Sequence, residues 1–85
     1  MSEIVMEGLI DSKLTRVIKT FLRDKDGLFH LKKISNHSKV PLTTTLAITK
    51  KLVGLDILEI VVIGKFKLYR LAKNKKTEFI DKVIR

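Results

Sequence analysis

Two histidines, His30 and His37, and no cysteine occur among the 85 residues, so the usual metal ligands and thiol nucleophiles are scarce. A metal site needs further ligands and hydrogen-bonding partners behind them, and none assemble around this pair. No Ser/His/Asp arrangement or carboxylate pair stands apart from ordinary surface charge, and the four glycines are too scattered to cradle a phosphate. The residue types point away from catalysis, with no metal and no cofactor expected. The remaining chemistry is cationic: 18 Lys and Arg against 9 Asp and Glu, a formal net charge of +9. The first twelve residues hold Glu3, Glu7 and Asp11 and no base, leaving residues 13–85 with 18 cations against six acids, or +12. Such a body suits a polyanion, nucleic acid first and an anionic membrane surface second. Solubility alone is the competing use of the same charge.

The elements that position these cations are legible from periodicity. Asp11 to Asp24 places Leu14, Val17, Ile18, Phe21 and Leu22 on one helical face and Lys13, Arg16, Lys19 and Arg23 on the other. Asp11 or Ser12 is the expected cap, and Asp24-Lys25-Asp26-Gly27 ends the helix. Leu28-Phe29-His30 reads as extended. Leu31 to Ser38 reads as a short helix with Leu31 and Ile34 inward and Lys32 and Lys33 outward. Ser38-Lys39-Val40-Pro41 breaks the chain, because proline is tolerated in a first helical turn and disfavoured inside a helix. A third helix follows over Leu42 to Leu55. Thr45, Ile48, Thr49, Leu52 and Leu55 share one face, opposite Thr43, Thr44, Ala47, Lys50 and Lys51. Asp56 stands where a left-handed residue would end it.

Ile57 to Ile63 and Phe66 to Ala72 are rich in β-branched and aromatic residues, and Gly64-Lys65 between them suits a two-residue hairpin turn. That turn sets Ile63 opposite Phe66, Val62 opposite Lys67, Ile60 opposite Tyr69, Glu59 opposite Arg70 and Leu58 opposite Leu71. Both hairpin faces are then largely apolar, so another element or a partner chain should cover part of them. Thr77 is the expected cap of a last helix, Glu78 to Arg85, with Phe79, Ile80, Val83 and Ile84 on one stripe. The chain reads as one α+β domain: an extension over 1–12, a core over 13–73 and a terminal helix over 74–85. A chain of this size buries roughly 60–65% of its unfolded surface, enough for one modest core.

The order helix, extended piece, short helix, turn, helix, hairpin resembles a winged helix-turn-helix domain of the MarR and ArsR kind. Lys39-Val40-Pro41-Leu42-Thr43-Thr44-Thr45 resembles the turn and recognition-helix start of such regulators. Leu52-Val53-Gly54-Leu55-Asp56-Ile57-Leu58 resembles the leucine-rich end of that helix, with Asp56 where many members have glycine. Gly64 and Tyr69-Arg70-Leu71 resemble the wing turn and closing strand. The resemblance covers about three-quarters of the chain and implies a double-stranded DNA-binding transcription regulator.

In that arrangement the third helix, about 42–55, enters the major groove and hairpin 57–72 is the wing. Thr43, Thr44 and Ala47 would face base edges; Lys32, Lys33, Lys39, Lys50 and Lys51 would meet phosphates; Lys65, Lys67 and Arg70 would act from the wing. No Arg, Asn or Gln lies on the base-facing side of the helix, so modest sequence discrimination or shape readout is expected. The resemblance also implies a homodimer, with Ile4, Val5, Leu9 and Ile10 at one end and Phe79, Ile80, Val83 and Ile84 at the other as candidate contacts. It lacks the long helices and cysteines by which larger relatives sense effectors, so a minimal cytoplasmic regulator without small-molecule effector is expected, of the kind found in archaea and their viruses. A winged-helix adaptor between proteins of the transcription machinery and an RNA-binding module are the alternatives. With five aromatic residues, mostly at apolar positions, single-strand stacking is disfavoured. No membrane or secretory segment is expected.

Overall fold

The computed structural model describes residues 12–84, with side chains from Lys13 onward. The caps expected at Asp11 or Ser12, the apolar group Ile4, Val5, Leu9 and Ile10, and Arg85 lie outside the described residues or side chains. Six elements follow in order: α1 (Ser12–Leu22), α2 (Leu31–Ser38), α3 (Leu42–Gly54), β1 (Leu58–Ile63), β2 (Phe66–Leu71) and α4 (Lys75–Ile84). The described chain is therefore α+β, with four helices and one antiparallel hairpin.

The apolar stripes predicted from spacing meet in one core. Val17 and Phe21 of α1, Ile34 of α2, Val40 of the turn, Leu52 of α3 and Leu58 of β1 are all at most 2% exposed. Phe21 and Phe29 meet edge to face with centroids 5.1 Å apart. Phe29 also pairs with Tyr69, each N–H donating to the other's carbonyl at 2.9 Å, an isolated antiparallel bridge alongside β2. Gly27 permits the tight approach before it, because a Cβ there would stand 2.8 Å from the Phe29 ring and 2.6 Å from the Asp24 carboxylate.

The hairpin has the predicted register throughout, Ile63 opposite Phe66 and Leu58 opposite Leu71. Gly64 has φ of 59° and Lys65 is not in the positive-φ region, the pattern of a type II′ turn. Asp56 is left-handed with φ of 63°, as its place after α3 required.

Three expectations need correction. The last helix starts at Lys75, and its cap is Asn74 instead of Thr77. Asn74 Oδ1 accepts from the Thr77 N–H, while Thr77 Oγ1 accepts from the Asn74 N–H, a reciprocal box that satisfies two otherwise orphaned donors. Leu55, expected on the inner face of α3, is 46% exposed because the helix ends at Gly54 and the chain turns away. The apolar stripe of α4 is also divided: Ile80 and Ile84 pack on the core, whereas Phe79 and Val83 are exposed.

Candidate nucleic-acid interface

The α2–turn–α3 unit is tied together by side-chain hydrogen bonds to backbone carbonyls at and around the turn. Ser38 Oγ donates to the Ile34 carbonyl at 2.6 Å, and Ser35 Oγ donates to that of Val40 at 2.5 Å. Thr45, fully buried, donates to the Val40 and Pro41 carbonyls at 3.2 and 3.0 Å. From α1, Arg16 Nε donates to the Ser38 carbonyl at 2.9 Å and Nη2 to that of Lys39 at 3.4 Å. Lys39 itself is left-handed, with φ of 58° and ψ of 39°. Arg16, placed by the sequence only on the side of the first helix opposite its apolar stripe, is thus the cation that closes the C-terminal end of α2.

Opposite its buried face, α3 presents Thr43, Ala47, Lys50 and Lys51 as exposed side chains, with Thr44 half-buried. Leu42 and Leu46 share this exposure, and sequence reasoning assigned neither. Leu46 lies three residues after Thr43 and four before Lys50, so the spacing itself was the missed signal. Lys32 is exposed, and Lys33 sits over the Phe29 ring with Nζ 5.3 Å from its centroid. On the hairpin, Lys65 and Lys67 are exposed, but Arg70 is engaged: its Nε donates to Glu59 Oε2 at 2.8 Å and its Nη2 to the same oxygen.

Charge is segregated. Gly27 to Leu55 contains five lysines and no acid, and Ile60 to Ala72 contains Lys65, Lys67 and Arg70 and no acid. The acids of the described residues lie in the turn after α1, just after α3, at the start of β1 and on α4. There they meet cations, as Lys25 with Asp81, Arg70 with Glu59 and Lys73 with Asp26. Lys73 holds the Asp26 carboxyl below its usual range, by hydrogen bond first and by charge second, with a smaller contribution from Arg70. A groove between α1 and the end of α2 is lined by Arg16, Lys19, Thr20, Arg23, His37, Ser38 and Lys39, and its Arg16, Lys19 and Arg23 extend the cationic surface beyond the residues singled out from sequence.

Among the described residues no group of three His, Cys, Asp or Glu could hold a metal ion, and no helix is long and apolar enough to cross a membrane. No protein-family model, curated protein or solved structure matches the chain.

Proposed function

We propose that this chain is a winged helix-turn-helix transcription regulator that binds double-stranded DNA in the cytoplasm, with α3 in the major groove and the hairpin as wing. One observation carries the reading: an acid-free helix–turn–helix whose outer α3 face pairs small side chains at its start with lysines further along. Thr43, Thr44, Leu46 and Ala47 suit mixed hydrogen bonding and thymine-methyl contact. Lys32, Lys33, Lys39, Lys50 and Lys51 suit phosphates. Lys65 and Lys67 act from the wing, and Arg70 contributes little while Glu59 holds it. Two copies meet through α4, where Glu78 and Asp81 offset Lys75, Lys76 and Lys82 and where Phe79 and Val83 are 66% and 64% exposed. The acid-free surfaces of two copies, by contrast, repel.

The test is fluorescence anisotropy of a labelled random duplex across a salt series, with single-stranded RNA as competitor. Duplex binding that weakens steeply with salt and outcompetes RNA is expected. No duplex binding near 50 mM salt would overturn the reading and favour an adaptor, for which the exposed Leu42 and Leu46 would be the docking residues.

A further inference from the structure

The hairpin end is unusual for a purely electrostatic wing. From Ile60 to Lys67 every side chain except that of Val61 is exposed, and the exposed set is mostly apolar: Ile60 41%, Val62 68%, Ile63 51% and Phe66 60%. Their register sorts them. Leu58, Tyr69 and Leu71 fill the core from one face, and the same face carries Val62 and Lys67 beyond it. The opposite face carries Ile63 and Phe66 directly across from each other on either side of the Gly64-Lys65 turn. Phe66 is braced from the side by the His30 ring, edge to face at 5.5 Å between centroids. From Ile60 to Lys67 the charged residues are Lys65 and Lys67.

We infer that the Ile63–Phe66 pair is an apolar wedge that enters the minor groove and parts a base step, bending the duplex, while Lys65 and Lys67 hold the phosphates on either side. The inference rests on the DNA-binding reading and extends it from contact to deformation. Three features select this occupant. A wedge needs only one or two apolar side chains flanked by cations, and this tip supplies both. The occupant must be anionic where it meets the lysines and apolar between them, as phosphate rails around stacked bases are. A stable protein interface, by contrast, buries about 800 Å² on each partner, more than a two-residue turn and its flanking pairs can offer. The reach is sufficient: four residues of strand, Ile60 to Ile63, extend about 13 Å, against a minor groove about 7.5 Å deep.

The test combines anisotropy with energy transfer between dyes at the two ends of a duplex of about 25 base pairs, the size of site over which protein-induced bends of this kind are spread. Wild type should bind and bring the ends closer, by a bend within the roughly 20–90° range of intercalating wedges. Phe66→Ala and Ile63→Ser should each straighten the bound duplex and leave the salt slope unchanged, whereas Lys65→Ala should lower that slope by about 1 and keep the bend. The ring contact to His30 is made by Phe66, so the Ile63 variant separates loss of the wedge from loss of the brace. A straight duplex bound by wild type, or a bend that survives Ile63→Ser combined with Phe66→Ala, overturns the wedge and leaves DNA binding standing. Absence of binding at low salt overturns both.

Discussion

Around α4 and the hairpin base, Lys25, Arg70 and Lys73 each meet a carboxylate, whereas from Gly27 to Leu55 five lysines occur without one acid. Both regions are exposed and built on one core, so the contrast lies in what their cations face. In the first they tie elements together: Lys25 follows α1 and meets Asp81 of α4, and Lys73 meets Asp26 across the chain. In the second the backbone is held by neutral groups, Ser35, Ser38 and Thr45, together with Arg16. Structure in the α2–α3 unit thus depends little on its lysines, and the proposed function assigns their charge to an external polyanion.

The largest effect should come from removing support common to both regions. Leu52 is 1% exposed, and Leu52→Ala should destabilise the fold by about 2–5 kcal/mol in denaturant melts. Loss of the paired and the acid-free region in a single transition would show that they share one cooperative unit. Arg16→Ala should cost about 1–2 kcal/mol by leaving the Ser38 and Lys39 carbonyls short of a charged donor. It should also weaken duplex binding, because the turn that aims α3 loosens.

Lys39→Gly sharpens the division between structure and charge. Relief of a left-handed side chain should offset the added freedom of the unfolded chain, so stability should change by no more than about 1 kcal/mol. The salt slope of duplex binding should nevertheless fall by about 1.

The smallest effect concerns the paired region. The folded-state pKa of Asp26 is held below its unfolded value, so its contribution is complete above the ordinary aspartate range near pH 4 and lost as pH falls through the folded value. Lys73→Ala should return the Asp26 titration to the ordinary range, read by NMR, with only a slight change in melting because both groups are exposed.

Local chemistry made much of this fold legible. The Gly64-Lys65 turn fixes a two-residue loop, and loop length with period-two alternation fixes the hairpin register. Asp56 was readable because few residues tolerate a left-handed helix end. The start of α4 was misread because Asn74 and Thr77 both suit a cap and the box uses both; only the backbone geometry decides which comes first. The division of the α4 stripe and the engagement of Arg16 were hidden for another reason. Which side of a stripe is covered, and which carbonyl a long cation reaches 22 residues away, depends on how helices cross. Among the candidate site residues, the exposure of Lys50 and Lys51 followed from helical phase. Outside that site, the partners of Lys25 and Lys73 lie 56 and 47 residues away and carry no local signal.

The most direct measurement is the salt dependence of duplex binding for two double variants, Lys50→Ala/Lys51→Ala and Lys25→Ala/Lys73→Ala. Each removes two positive charges, so net charge is matched and only location differs. If the acid-free surface binds phosphates, the log–log slope should fall by about 2 in the first and stay at the wild-type value in the second. Equal falls in both variants, or no duplex binding by wild type near 50 mM salt, would contradict the assignment of binding to α3.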